Sequence, residues 1–283
     1  MELMVPVKDG ELWAHDSGEP GGASGSGGDA PPLVLLHPGV ADSRVWDGIL
    51  PRLTQERRVI RYDARGYGRS PAPTAPFSLV EDLTAVLDHF DVARAFLVGS
   101  SMGGTTAIGL ALADPGRVAG LALLVPGITG NPDFLMEEFT AEVGRLAQAG
   151  DMDGIVALVK RTSAAAGTGD DAEVQALIEA VIPSWFAVHP HQVPDPPAFG
   201  RLGELDVPCV LALGEQDDPE VVRCNEEMAA RIPGCRLVRL RDSDHFPTLR
   251  EPDAVVDIVR EAYAAVRQAG QQGQGSPGGS HRP

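Results

Sequence analysis

Ser101 stands at the centre of the segment Val98-Gly99-Ser100-Ser101-Met102-Gly103-Gly104, which has the spacing G-x-S-x-G. An apolar run at 95–98 (AFLV) enters the segment as a strand, and a helical pattern leaves it from Thr105. A residue on so sharp a strand-to-helix turn is held in a strained backbone conformation, and small residues two before and two after it relieve the crowding. Its hydroxyl then projects from the carboxyl end of a sheet, where open α/β sheets bind ligands. Ser100 cannot centre the same motif, because Val98 and Met102 would occupy the glycine positions. The chemistry that suits this arrangement is nucleophilic attack by a serine, which needs an adjacent base and a carboxylate to orient that base. A plain Gly/Ser connection is the competing reading, and the correct flanks on both sides weigh against it.

Two further segments carry a resemblance. His37-Pro38-Gly39, followed by Trp46, and Arg61-Tyr62-Asp63-Ala64-Arg65-Gly66-Tyr67-Gly68-Arg69-Ser70 join the serine turn in a pattern that closely resembles the α/β-hydrolase superfamily, in its esterase, lactonase and cofactor-free haloperoxidase-like branch. The resemblance runs from Leu33 to Arg267, with Pro38 where glycine is usual. It implies the chain order serine, acid, histidine. His245, in Asp242-Ser243-Asp244-His245-Phe246-Pro247, resembles the family's histidine loop and is expected to be the base, with Asp242 and Asp244 where small residues are common. An acid beside the histidine can raise its pKa. Asp217, the third residue beyond Gly214, matches the family's carboxylate turn, with Asp218 as its immediate competitor. The negative oxygen of a tetrahedral intermediate needs two amide donors. The resemblance assigns these to Met102, at the start of a helix, and to Gly39, with Val40 as the alternative.

What the resemblance implies is hydrolysis of a small or medium carboxylic ester, or of a lactone, with a small-molecule substrate and no metal or organic cofactor. Carbon–carbon bond hydrolysis and perhydrolase or haloperoxidase chemistry use similar triads and stay open. Serine rather than aspartate at the turn argues against the haloalkane dehalogenase and epoxide hydrolase branches. A binding protein that kept the scaffold and lost catalysis is the alternative from another class.

The elements that must position these residues follow from the apolar pattern. Runs at 33–36, 59–62, 95–98, 121–125, 209–213 and 236–240 read as strands, several of them continuously apolar as for strands covered on both faces. Runs at 3–7 and 11–15 flank Asp9-Gly10 as a hairpin. Helical patterns at 79–90, 105–113 and 253–267 alternate with the strands. Together they imply an α/β fold, a mostly parallel twisted sheet with helices on both faces, as one domain over 1–283. The alternation breaks over 127–203, where 134–148, 154–161 and 172–182 look helical and a Pro-rich run at 193–198 returns the chain to the sheet. This stretch is expected to be a lid that sets substrate choice while the sheet sets the chemistry. Trp185, Phe186 and Phe199 read equally well as lid core and as substrate contacts.

Composition bounds the rest. With 43% apolar residues among 283, the chain can bury a substantial core. Forty acidic against 23 basic residues give a net charge of −17, which disfavours nucleic acid and anionic membrane surfaces as partners. No apolar run approaches the ~20 residues of a membrane span, and no signal-peptide pattern is visible at the start. Cys209, Cys224 and Cys235 make neither a metal spacing nor an even disulfide set, so a reducing, cytoplasmic setting is expected. His189 and His191 lack a third ligand at supporting spacing, and Gly66-Tyr67-Gly68 meets Pro71 where a dinucleotide fingerprint needs glycine. The Gly/Ser-rich stretch 18–30 and the tail 268–283 have nothing to bury and are expected to be mobile. Oligomeric state is left open.

Overall fold

Short apolar runs bounded by turn residues form the strands: β1 (Glu2–Val7), β2 (Gly10–Asp16), β3 (Leu33–Leu36), β4 (Val59–Tyr62), β5 (Ala95–Ser100), β6 (Val118–Leu124), β7 (Cys209–Gly214) and β8 (Arg236–Leu240). The computed structural model describes residues 1–20, 30–133 and 137–274, with side chains at all of these except 137 and 267–274. The strands make one sheet in the order β1-β2-β4-β3-β5-β6-β7-β8. β1 pairs with β2, and β2 with β4, antiparallel; the remaining neighbours are parallel. Every residue of β3 through β7 is buried, because helices cover both faces.

The helices are α1 (Leu50–Thr54), α2 (Leu79–His89), α3 (Met102–Ala113), α4 (Glu137–Gln148), α5 (Met152–Ser163), α6 (Ala172–Val188), α7 (Pro219–Arg231), α8 (Pro247–Arg250) and α9 (Pro252–Gln274). Successive side chains of a strand point to opposite faces, and β3 and β5 divide accordingly. Val34, Leu36 and Leu97 join Leu83, Val86 and Ile108 of α2 and α3 in one core. Leu33, Leu35, Phe96 and Val98 join Trp46, Val255, Val259 and Tyr263 in the other. The edge strand β8 exposes Arg236 and Arg239, which pair with Glu261, Glu215 and Glu226, and charge on an edge opposes strand addition by another chain.

Between β6 and β7 lie α4, α5 and α6. Asp151 and Asp171 cap α5 and α6 by accepting from Gly154 N–H and from Glu173 and Val174 N–H. Helix α6 runs through Pro183 to Val188, beyond the expected stop at Ile182, because a proline removes one hydrogen bond without ending a helix packed on its neighbours. Helix α7 was not expected: its charged residues obscure a buried stripe of Val221, Cys224 and Met228. Helix α3 starts at Met102 rather than Thr105, since Gly103 and Gly104 contribute no apolar period. Helix α9 continues to Gln274, so the segment expected to be a tail from Gln268 begins as helix. The expectations for 21–29, 134–136 and 275–283 fall outside the described residues. No helix among the described residues is long and apolar enough to cross a membrane.

The loop after β4 is fixed by a buried ion pair. Arg65 donates from Nε to Asp82 Oδ2 and from Nη2 to Asp82 Oδ1, each at 2.7 Å, and Nη2 also reaches the Lys8 carbonyl at 2.6 Å. Hairpin, loop and α2 are joined through one guanidinium. Breaking a buried pair leaves an uncompensated charge, so Asp82→Ala is expected to lower unfolding stability by about 3–5 kcal/mol. The double substitution Arg65→Met/Asp82→Leu is expected to lower it less. Urea denaturation of the three variants checks the order.

Candidate active site

Ser101 follows β5 and starts α3 with φ +48° and ψ −111°, a left-handed backbone unusual for a residue other than glycine. Two glycines make the turn possible. A side chain at Gly103 would collide with the Leu36 carbonyl, and one at Gly99 with the Gly103 carbonyl. The turn is anchored by Ser101 N–H donating to Leu124 O at 3.0 Å, while Ser101 O accepts from Thr105 and Gly127 N–H at 3.0 and 3.1 Å. A serine at a helix N-cap ordinarily accepts from the first-turn amides. Ser101 makes no such bond; its Oγ lies 2.8 Å from His245 Nε2. The site opens where β3 lies between β4 and β5, the point at which strand order reverses and α/β sheets leave a crevice.

His245 arrives on the loop after β8, and Asp217 on the turn after β7. His245 Nδ1 lies 2.6 Å from Asp217 Oδ2, and the Asp217 side chain is only 1% exposed. The two loops touch because Gly214 has no side chain: a Cβ there would strike the Ser243 carbonyl. Glu215 and Gln216 N–H donate across to Leu240 and Ser243 carbonyls at 2.8 and 3.0 Å. Asp218 is turned elsewhere and caps α7, accepting from Glu220 N–H at 2.9 Å. Asp217 is therefore the acid of the pair that reaches the histidine. Burial works to lower the His245 pKa, but the Asp217 charge and hydrogen bond, with the charges of Asp244 and Asp218, outweigh it and hold the pKa above the ordinary value. Asp244 acts as expected of an acid beside the ring, whereas Asp242 is not among the groups that shift it.

Gly39 and Met102 both face the same cavity, and neither N–H donates to another described group. The peptide before Gly39 is oriented by His37. Ala64 N–H donates to His37 Nε2 at 3.0 Å, so the ring carries its proton on Nδ1 and donates to Pro38 O at 2.8 Å. In a trans peptide the Gly39 N–H points the opposite way. The following carbonyl, Gly39 O, accepts from Trp185 Nε1 at 2.6 Å. Behind this loop, Asp63 accepts from Ser43 and Arg69 N–H, each at 2.9 Å, which gives the Arg61-to-Ser70 motif a scaffolding part.

The cavity measures about 1060 Å³ and is walled by Met102, Ile128, Phe139, Leu158, Trp185 and Val221. Asp133, Glu138, Asp195 and Glu220 also line it, and no lysine or arginine does among the described residues. Burial pushes the Asp195 carboxyl above its usual pKa. Of the three aromatics weighed from the sequence, Trp185 alone lines the cavity; Phe199 is buried in the core that also holds residues of α2 and α3, and Phe186 is exposed. The insertion also reaches the histidine loop, where His245 N–H donates to Ser163 O at 3.1 Å. It thus contacts both loops that carry the polar groups, a part beyond the substrate-selecting role expected from sequence.

Known proteins share this frame. The pimeloyl-[acyl-carrier protein] methyl ester esterase of Neisseria meningitidis is 26% identical over 251 residues, covering 81% of this chain and 91% of that one. The dihydrolipoyllysine-residue acetyltransferase component of the acetoin cleaving system of Pseudomonas putida is 42% identical over 129 residues, but the match spans only 34% of that protein and 44% of this one. The enol-lactonase of Burkholderia xenovorans superposes with a TM-score of 0.75 at 25% identity, covering 93% of this chain and all of that one. The family pattern for the alpha/beta hydrolase fold matches residues 31–173. With that pattern over half its length and a full-length structural likeness besides, the chain belongs to the α/β-hydrolase fold family.

Proposed function

We propose that this protein is a serine hydrolase that cleaves a small or medium-sized carboxylic ester, or its cyclic lactone counterpart, through an acyl-enzyme. The observation that carries the reading is the unbroken chain Ser101 Oγ–His245–Asp217, with contacts of 2.8 and 2.6 Å. With Nδ1–H donated to Asp217, the ring presents the Nε2 lone pair to the serine hydroxyl. Ser101 Oγ attacks the acyl carbon while Nε2 takes its proton, and the imidazolium that forms is stabilised by the buried carboxylate. The Gly39 and Met102 amides receive the oxyanion. His245 returns the proton to the leaving alkoxide, then removes one from water, whose oxygen attacks the acyl carbon. The acyl–Oγ bond breaks, His245 gives that proton back to Ser101 Oγ, and the acid is released. Esterase and lactonase likeness supports the same bond class. In this reading 1–283 is one domain, 127–203 is its lid, and the unbridged Cys209, Cys224 and Cys235 suit the cytoplasm.

A fluorophosphonate is expected to label Ser101, and Ser101→Ala is expected to abolish labelling and ester hydrolysis together. Full activity in that variant would overturn the reading in favour of a binding protein or another nucleophile. Asp217→Asn is expected to lower kcat by about 10⁴-fold, because the ring loses its oriented tautomer. Asp218→Asn, which still caps α7, is expected to stay within about three-fold, as Asn and Asp are equal N-caps. Mass spectrometry and initial rates check the set.

The pH dependence has a definite sign. Attack requires neutral His245, and its pKa is held above the ordinary 6.5, so kcat/KM is expected to rise with pH through a midpoint above 6.5. A rate profile from pH 5 to 9 on a neutral ester tests this.

A further inference from the structure

Asp244 is fully buried and, among the described residues, has no cationic partner. Three donors surround it instead. Oδ2 accepts from Ala166 N–H at 3.0 Å and from Thr168 Oγ1–H at 2.8 Å, and Oδ1 accepts from Phe246 N–H at 3.1 Å. All three of these contacts are made by donors, which the two oxygens can accept. Ala166 and Thr168 belong to the connection between α5 and α6, and Asp244 directly precedes the histidine. With His245 N–H on Ser163 O, three hydrogen bonds tie the histidine loop to the insertion, whereas Gln216 N–H on Ser243 O ties it to the turn after β7.

We propose that Asp244 is a positioning residue that latches the histidine loop to the α5–α6 connection, so that His245 reaches Ser101 only while the insertion is docked. The proposal rests on the serine-hydrolase reading. Groups that must align within a fraction of an ångström lose rate steeply when their support slackens. The latch carries charge as well: the groups that act electrostatically on His245 are Asp217 on the turn after β7, Asp218 at the start of α7 and Asp244 on its own loop, all acidic.

The test uses Asp244→Asn and Thr168→Val in the full chain, with kcat, KM and the pH profile measured on a neutral ester and folding followed by circular dichroism. The asparagine amide presents hydrogens where Oδ2 or Oδ1 accepted, so one side of the latch must open. Asp244→Asn is expected to lower kcat about 10–100-fold with KM within about three-fold, and to move the acid limb to lower pH because one negative charge beside the imidazolium is gone. Thr168→Val, which removes one donor, is expected to lower kcat about five-fold. In the double variant its effect is expected to shrink, as for two members of one network. A wild-type kcat and an unmoved acid limb in folded Asp244→Asn would overturn the latch even if thermal stability fell. Should that variant not fold, Thr168→Val decides: a kcat loss at unchanged KM supports the latch, and an unchanged kcat overturns it. Ser101→Ala separates the two levels, since an active Ser101→Ala removes the underlying reading, whereas an inactive one beside a fully active Asp244→Asn removes the latch alone.

Discussion

The close approach of α3 to the end of β3 governs the rest of the site. Gly103 lies against the Leu36 carbonyl with no room for a side chain, and this contact lets the chain reverse at Ser101 in a left-handed conformation that costs about 1–3 kcal/mol. Leu36 is also the residue from which the loop His37-Pro38-Gly39 departs. One contact therefore forces the serine outward and sets the first free amide of α3 beside the loop that holds Gly39. Strain at the serine and the nearness of Met102 to Gly39 have a single origin in packing.

Around that fixed corner the other groups are held by backbone rather than by long side chains. Asp217 and His245 meet because Gly214 lets the histidine loop lie on the end of β7, and Asp217 is then buried where its charge acts strongly on the ring. The insertion completes the enclosure from the other side through Trp185, Ser163 and the residues that face Asp244. Sheet and insertion are thus parts of one hydrogen-bonded assembly about the cavity.

Much of this was legible in the sequence, for reasons that differ by element. Strands buried on both faces must be continuous apolar runs, so β3 to β7 stand out, while the mixed charges of α7 hide its buried stripe. Ser101 is marked by the small residues that its backbone requires. Asp217 and Asp218 are adjacent acids, and only the direction of each side chain separates a histidine partner from a helix cap. Trp185 reaches a carbonyl 146 residues away, and an aromatic on an amphipathic helix has the same local signature whether it does so or packs in a core. Asp244 could be seen as an acid near a histidine, but two of its three donors come from a fold that places 166 and 168 beside 244.

The acidic lining of the cavity bears on the end of a catalytic cycle rather than its beginning. A neutral ester enters without charge, but hydrolysis turns its acyl half into a carboxylate at any pH above the usual carboxylic range. That anion would form in a cavity whose lining includes Asp133, Glu138, Asp195 and Glu220, of which Glu220 is already paired with Arg223 at 2.7 Å. Asp133, Glu138 and Glu220 are exposed to water, which screens their charge, while Asp195 is partly buried. An acidic lining of this kind suits an uncharged reactant better than an anionic product, and so leans the site toward release of the acid.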